Sequence, residues 1–328
     1  MLRSHEGFRN TTAHSLHVVG QTCSVILDPE IADWVARYPV PPVDPHDVAG
    51  VRAIYDSYMA DRGGPQPLQS HDAVRLESAR IGDVGVLIWS PLHPRRAPVV
   101  VAMHGGAFVV GHPLGAERIA VPLAAEHGII TVSVAYRLSP EHRAPAALDD
   151  CMTVLTAIAG AETDRVAVHG SSAGACLAAG LALRARDAGI ALALQSLSCP
   201  ALDSRAMHTH DVDHSAHGES PTLSRDAVIA MWEHYLGESY GEPPEYAVPA
   251  LADSFAGVAP AHVVVAEHDV LRDEGAAYAL ALSAAGVPTS LERFSGTVHG
   301  FDGLLPDSSV GQRSIASQVN ALAQALRA

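Results

Sequence analysis

The sequence predicts an α/β fold, in which a mostly parallel central sheet is covered by helices on both faces. Two observations carry this prediction. From residue 98 to the end of the chain, short apolar runs alternate with longer stretches of helical character. The chain also has 328 residues, of which 48% are hydrophobic, so it can bury one large core. Folds of this class and size often form a single domain.

The N-terminal part predicts a leader, two helices and two strands. Residues 1–24 are polar and show no clear period, which indicates a flexible leader. Asp28-Pro29 is a helix start, with a capping residue followed by proline at the first helical position, and Asp47 starts a second helix. Val74–Ser78 and Val84–Trp89 alternate or run apolar, as expected of opening antiparallel strands.

The most informative stretch is Gly170-Ser171-Ser172-Ala173-Gly174. An apolar strand pattern, Arg165–His169, precedes it, and a helical run of small residues, Ala173–Arg186, follows it. A Gly-x-Ser-x-Gly between a strand and a helix is typical of a strained nucleophile elbow. Ser172 is the predicted nucleophile because it alone has glycine at both the second position before and the second position after it.

Partners for this serine follow in the order that an elbow of this kind requires, acid before histidine. The strand pattern Ala261–Glu267 leads to Asp269, and the shorter strand Thr289–Phe294 leads into a loop that holds His299. Both residues therefore follow carboxyl ends of strands, the edge at which open α/β sheets place their active sites. We expect His299 to act as the base and Asp269 to orient and stabilise its imidazole.

An upstream loop predicts the oxyanion-binding groups. The buried strand Pro98–Met103 runs into His104-Gly105-Gly106-Ala107-Phe108. A glycine-rich loop in this position supplies backbone N–H groups to an oxyanion, and the residue after the nucleophile, Ala173, supplies another. Donors of this kind contribute roughly 3–4 kcal/mol each to transition-state stabilisation.

Together these motifs resemble the hormone-sensitive-lipase-like esterases, the bacterial family often called family IV. Within it, the chain is most similar to acetylesterases of the heroin-esterase type. The matching pieces occur from about residue 75 to the end: His104-Gly105-Gly106, Tyr136–His142, Pro145–Asp150, the elbow, Asp269–Gly275 and His299-Gly300-Phe301.

The resemblance implies an α/β-hydrolase fold and a serine carboxylesterase. Such an enzyme hydrolyses short-chain esters, acetyl first, through an acyl-enzyme and without a cofactor. It implies one domain over residues 25–328, a linker at 63–69, and helical cap elements at about 26–62 and 203–221. The oxyanion donors would be Gly105, Gly106, Ala107 and Ala173. A homodimer is an open possibility by analogy.

The sequence departs from the family pattern at two places. Ala107 replaces the usual third glycine of the loop, and a Cβ there is awkward if the backbone needs a positive φ. Either the local conformation suits alanine or the oxyanion hole is slightly distorted. Ser171 replaces an acidic residue before the nucleophile, which changes the electrostatics around His299.

Composition excludes several other kinds of protein. The net charge is −15 and all 21 basic residues are arginine, so Schiff-base, P-loop and pyridoxal-linking lysines are absent. An acidic chain without a basic run argues against nucleic-acid binding. No window approaches the ~20 apolar residues of a membrane span, and no signal-like segment opens the chain, so we expect a cytoplasmic protein without a membrane partner. The four scattered cysteines predict free thiols: Cys23, Cys151, Cys176 and Cys199.

Three further features carry weaker expectations. The histidines and aspartates between His208 and His217 have spacings that metal ligands also show, but a polar lid is favoured and no metal is expected. The aromatic side chains of Phe108 and Phe301 are candidates for substrate contact, with a core position as the alternative. His104 is expected to hold the oxyanion loop rather than to act as a base.

Two other functions use the same fold. An acyltransferase or deacetylase of a biosynthetic pathway would have the same triad with another acceptor or a narrow substrate. A small-molecule binding protein is the second alternative, and the presence of His299 argues against it because the related receptors lack this histidine.

Overall fold

A computed structural model describes residues 26–41, 43–61, 72–93, 96–161, 163, 165–208 and 220–327. Within these residues the strands are β1 (Val74–Ile81), β2 (Val84–Pro91), β3 (Val99–Met103), β4 (Ile130–Ala135), β5 (Val166–Ser171), β6 (Gln195–Ser198), β7 (Ala261–His268) and β8 (Thr289–Val298). The α-helices are α1 (Pro29–Arg37), α2 (Val48–Asp61), α3 (Glu117–His127), α4 (Ala146–Ala159), α5 (Ala173–Asp187), α6 (Arg225–Leu236), α7 (Arg272–Ala284), α8 (Phe301–Leu304) and α9 (Ser309–Arg327).

These strands form one sheet in the order β1-β2-β4-β3-β5-β6-β7-β8. Strand β2 is antiparallel to both β1 and β4, and every other neighbouring pair is parallel. The mostly parallel sheet and the antiparallel opening pair predicted from the sequence are therefore confirmed. The parallel arrangement brings the carboxyl ends of β3 and β5–β8 to one edge.

Both faces of the sheet are covered. Val99 and Val101 of β3 belong to the larger core cluster, together with residues of α4, α5 and α7. Val100, which points to the opposite face, packs with residues of α3 and α9. Successive side chains of one buried strand thus pack against helices on opposite faces of the sheet, as the predicted fold class requires.

The two N-terminal helices begin where the sequence predicts. The Asp28 carboxylate accepts a hydrogen bond from the Glu30 N–H at 2.9 Å, and Pro29 occupies the first helical turn of α1. Asp47 accepts from the Gly50 N–H at 3.0 Å at the start of α2. The fully buried side chain of Ile31 anchors α1 to the core cluster that contains strand residues of β7 and β8.

Strand β8 is longer in the structure than the sequence predicts. Strand β8 continues four residues past Phe294, because a register shift opposite Ala266 and a left-handed Gly296 (φ 70°) let the pairing resume at Val298. The extension of β8 moves the end of the strand to the residue before His299.

Three segments predicted from the sequence lie wholly or partly outside the part of the chain that the structure describes. The leader at 1–24, the linker at 63–69 and residues 209–219 of the second cap segment lie outside the described residues. Helices α1 and α2 occupy most of the first cap segment. Each helix that the structure describes is too short or too polar to cross a bilayer.

Candidate active site

A sharp turn between β5 and α5 carries the predicted nucleophile. The run Val166–Ser171 is apolar and forms a central strand, and the small residues after it start α5 at Ala173. Ser172 lies between them with φ 54° and ψ −121°, a conformation that side-chain-bearing residues rarely adopt. Its N–H donates to the main-chain oxygen of Ser198 at the end of β6, 2.8 Å away. The strained elbow is thus held by its neighbouring strand.

The two glycines of the elbow are required by close backbone packing. A Cβ on Gly170 would overlap the main-chain oxygen of Gly174. A Cβ on Gly174 would overlap the main-chain oxygens of Met103 and His104, at the end of β3. Small residues at these positions therefore let the elbow lie directly against the strand that leads into the glycine-rich loop.

The structure brings the predicted acid, base and nucleophile together. The Nε2 atom of His299 lies 2.9 Å from the Ser172 hydroxyl, and its Nδ1 lies 2.7 Å from a carboxylate oxygen of Asp269. Because a carboxylate only accepts, Nδ1 donates to Asp269 and Nε2 is free to accept the serine proton. The other Asp269 oxygen accepts from the Leu271 N–H at 3.0 Å. The main-chain oxygen of His299 accepts from the Thr222 hydroxyl at 3.2 Å.

The charge around His299 suits a base that becomes protonated during reaction. Burial is the largest influence and lowers the pKa of His299, but the charge and hydrogen bond of Asp269 raise it, with a further contribution from Asp302. The net result is a pKa above the ordinary value of 6.5. Asp269 is itself 1% exposed, so water screens its charge little.

The glycine-rich loop lies against the elbow in a left-handed conformation. A Cβ built on Gly105 would be 3.1 Å from the main-chain oxygen of Ser171. The next three residues have positive φ: 125° at Gly106, 52° at Ala107 and 62° at Phe108. The sequence left open whether the local conformation at Ala107 suits alanine. In the structure Ala107 has a positive φ, a conformation that glycine would adopt with less strain.

Buried polar contacts support this loop. Tyr136 stacks on His104 with ring centroids 4.2 Å apart, and its hydroxyl donates to the His104 main-chain oxygen at 2.7 Å. Burial lowers the pKa of His104 to about 4, so the ring is neutral and its Nδ1 donates to the Gly105 carbonyl at 2.8 Å. Nearby, the Arg137 guanidinium donates to both oxygens of Asp150. His104 thus has the supporting position that the sequence predicts.

Arg52 is a further support that sequence analysis did not identify. From α2 it donates to the main-chain oxygens of Val109 and Ser139, each at 3.1 Å, and binds both oxygens of Glu141 at 2.7 and 2.8 Å. It therefore fastens α2 to the loop after β3 and to the loop after β4. No local pattern marks it, because its partners lie at least 57 residues away.

The two aromatic residues suggested as substrate contacts are core residues. Phe108 is 1% exposed and stacks on Tyr235 at a centroid distance of 3.9 Å, beside Trp232. Phe301 is 0% exposed and packs on Phe294. Their rings fill hydrophobic clusters, so the structure supports the core alternative for both residues.

One group of potential metal ligands occurs among the described residues: Cys199, Asp269 and His299. Asp269 and His299 already hydrogen-bond to each other, and burial raises the pKa of the Cys199 thiol well above its ordinary value. The hydrogen bond between Asp269 and His299 therefore competes with metal binding by this group. Of the histidine-rich segment, residues 209–219 lie outside the described residues, and its role as a lid stays a prediction.

Comparison with known proteins gives a consistent set of relatives. A family model described as the alpha/beta hydrolase fold matches residues 100–303. Esterase LipI of Mycobacterium tuberculosis is 36% identical over 233 residues, which cover 68% of this chain and 72% of that protein. Carboxylesterase NlhH of the same organism is 34% identical over 258 residues, 70% of this chain and 76% of its own.

Solved structures show the same relationship over more of the chain. A bacterial heroin esterase superposes with a TM-score of 0.82 at 35% identity, covering 92% of this chain and 99% of that one. Esterase LipW from Mycobacterium marinum gives a TM-score of 0.79 at 34% identity, covering 92% of this chain and 96% of its own.

Proposed function

The chain belongs to the hormone-sensitive-lipase-like family of α/β-hydrolase esterases and is a carboxylic ester hydrolase; on that premise we propose that it is a serine carboxylesterase for short-chain acyl esters. The observation that carries the proposal is the continuous hydrogen-bonded chain from the Ser172 hydroxyl through His299 to the buried Asp269. These hydrogen bonds also argue against a binding protein, which would not need a base 2.9 Å from the serine hydroxyl.

The proposed reaction has two half-reactions. In acylation, the Ser172 oxygen attacks the ester carbonyl while His299 takes the hydroxyl proton, and Asp269 stabilises the imidazolium. The C–O bond to the alcohol then breaks, and His299 returns the proton to the departing alcohol oxygen. In deacylation, water attacks the acyl-enzyme, His299 takes its proton, and the acid leaves as Ser172 is reprotonated.

The negative oxygen of both tetrahedral intermediates would be held by main-chain N–H groups. We assign these donors to the loop Gly105-Gly106-Ala107 and to Ala173. Their support is the close approach of the loop to the elbow, since a Cβ on Gly105 would be 3.1 Å from the Ser171 oxygen. Such donors act without reorganisation because the backbone already holds them in place.

The short acyl preference, acetyl first, rests on the sequence resemblance to acetylesterases. We also propose that residues 25–328 form one hydrolase domain, with α1 and α2 as part of its cap. Arg52 supports this assignment because it ties α2 to the loops beside the elbow. A cytoplasmic location and a homodimer stay predictions from the sequence and its resemblance.

The test is hydrolysis of p-nitrophenyl esters from acetate to decanoate by wild type, Ser172→Ala and Ser171→Ala. We expect turnover to be highest between acetate and butyrate. Ser172→Ala should lower kcat by at least about 10⁴-fold, because the nucleophile is lost. Ser171→Ala is the matched control and should keep most of the activity. Equal activity of Ser172→Ala and wild type would refute the assignment.

A second assay separates hydrolysis from acyl transfer. The acyl-enzyme formed from an acetate ester is offered increasing concentrations of a small alcohol, and acetic acid and the new ester are both measured. A hydrolase forms mostly acid. Predominant ester formation at low alcohol concentration would instead favour an acyltransferase with the same triad.

A further inference from the structure

Asp302 is a buried carboxylate close to the proposed base His299, and it takes no part in the mechanism given above. It is the second residue of α8 and follows His299 by three positions. The turn between them is tight, because Gly300 adopts φ 68° and its main-chain oxygen accepts from the N–H groups of Gly303 and Leu304, both at 2.9 Å. A shift of Asp302 would therefore move the backbone that carries His299.

Three buried donors converge on one oxygen of this carboxylate. The Oδ2 atom of Asp302 accepts from Gln318 Nε2 at 2.7 Å, from the Ser314 hydroxyl at 2.9 Å and from the Ser198 hydroxyl at 3.2 Å. These three donor residues are at most 1% exposed, and Asp302 is 7% exposed. Burying a carboxylate costs several kcal/mol unless it is well hydrogen-bonded, so this is an organised site rather than a surface contact.

Ser198 connects this carboxylate with the nucleophile. Its hydroxyl donates to Asp302, while its main-chain oxygen accepts from the N–H of Ser172 at 2.8 Å. One residue at the end of β6 thus touches both the strained elbow and the helix that follows His299. The two donors on α9, Ser314 and Gln318, have no corresponding contact with the elbow among the hydrogen bonds of the described residues.

We propose that Asp302 is a positioning residue for the reaction: through Ser198 it fixes the spacing of Ser172 and His299, and its negative charge acts on His299 in addition to that of Asp269. The proposal rests on the proposed function, since it assumes that these two residues are nucleophile and base. It assigns a role to a residue that touches neither substrate nor the reacting atoms.

Among the charged groups near Asp302 and His299, the Arg118 guanidinium on α3 donates to the main-chain oxygens of Asp302 and Gly303. The carboxylates of Asp269 and Asp302 act on the pKa of His299. His169 on β5 and Cys199 after β6 both lie close to Asp302. Burial lowers the pKa of His169 to about 4 and raises that of Cys199, so both are neutral near pH 7. His299 therefore senses the carboxylates of Asp269 and Asp302, and both raise its pKa.

Asp302→Asn removes the charge and keeps the shape. We expect the acid limb of kcat/KM for p-nitrophenyl acetate, measured between about pH 5 and pH 9, to move down by about half a unit to one unit. The matched control is Ser314→Ala, which removes one neutral donor from the same oxygen and should leave the limb in place. A folded Asp302→Asn protein with an unmoved limb would overturn the electrostatic part of the proposal.

The positioning part is tested without changing the charge. Ser198→Ala and Ser314→Ala each remove one hydroxyl donor from Asp302. Of these two residues, only Ser198 also contacts the elbow, through its main-chain oxygen, and the substitution leaves that contact in place. We expect kcat to fall about three- to tenfold in Ser198→Ala and less than twofold in Ser314→Ala. Equal losses in the two variants would mean that the network only stabilises α9, and this comparison stays decisive if Asp302→Asn does not fold.

A direct titration separates the failure of this proposal from the failure of the proposed function. In the Ser172→Ala background, the imidazole of His299 is titrated by NMR with and without Asp302→Asn. A lower pKa in the double variant supports the role of Asp302 even if no ester is turned over. An unchanged pKa counts against it, whatever activity the wild-type protein shows.

Discussion

Replacing Ser172 by glycine is expected to remove activity and to stabilise the fold relative to Ser172→Ala. Both variants lose the hydroxyl and its 2.9 Å contact with His299, so the comparison isolates the backbone. Ser172 lies at φ 54° and ψ −121°, a region that costs side-chain-bearing residues about 1–3 kcal/mol. Glycine adopts it without this strain.

Two smaller effects oppose the gain. Glycine has more freedom than alanine in the unfolded chain, which costs about 0.4–1 kcal/mol. The Cβ of the half-buried Ser172 contributes about 0.4 kcal/mol, half the value of a fully buried methylene group. Taking about 2 kcal/mol for the strain leaves a net stabilisation of about 1 kcal/mol for glycine over alanine.

Urea unfolding followed by tryptophan fluorescence measures this difference. With a slope of about 3 kcal/mol per molar urea, the midpoint of Ser172→Gly should exceed that of Ser172→Ala by about 0.3 M. The control pair is Ser171→Gly and Ser171→Ala, at a strand position without a positive φ, where glycine should be the less stable variant. A midpoint for Ser172→Gly at or below that of Ser172→Ala would refute the reasoning that the elbow is strained.

Three other predictions follow from buried groups. The proposed base is neutral His299, whose pKa is raised above 6.5, so kcat/KM for an acetate ester should fall with decreasing pH through a pKa above 6.5. A limb below that value would contradict the site electrostatics. Burial raises the pKa of Glu274 well above its ordinary value, so the unfolded chain releases this proton at a lower pH than the folded protein does. The stability of the wild type should therefore decrease with rising pH relative to that of Glu274→Gln, which keeps an acceptor for the Leu202 N–H. Urea titrations at about pH 5 and pH 8 check this: the free energy of unfolding of the wild type minus that of the variant should be lower at about pH 8. Gly174→Ala should lose more than about 3 kcal/mol of stability, because its Cβ would overlap main-chain oxygens at the end of β3, whereas Gly241→Ala, with open space around it, should unfold like wild type.

The chemistry-bearing part of the site could be predicted from the sequence because it depends on local patterns. A strand, a serine flanked by two glycines and a helix of small residues specify an elbow without knowledge of distant contacts. Strand ends place Asp269 and His299 at the same edge as Ser172, and the structure brings the three side chains within hydrogen-bond distance. Their catalytic roles stay predictions until the ester assays are done.

Other features depended on contacts between residues far apart in sequence. Arg52 reaches carbonyl groups at least 57 positions away, and Asp302 accepts from Ser198, 104 positions away. A lone arginine or aspartate carries no periodic signal, so such partners appear only when strands and helices are packed together. For the same reason the sequence left open whether Phe108 faces substrate or core, and its stacking on Tyr235 supports the core.

The sequence by itself determined the fold class and the order along the chain of the sheet-forming segments, and it predicted the three candidate site residues. These properties follow from hydrophobic periodicity and turn chemistry, which depend on residues that are close together in the sequence. The tertiary structure decided the left-handed conformation of Ala107, the extension of β8 to Val298, and the buried network behind His299. These depend on register, close backbone approach and desolvated charge, which exist only once distant segments share one core.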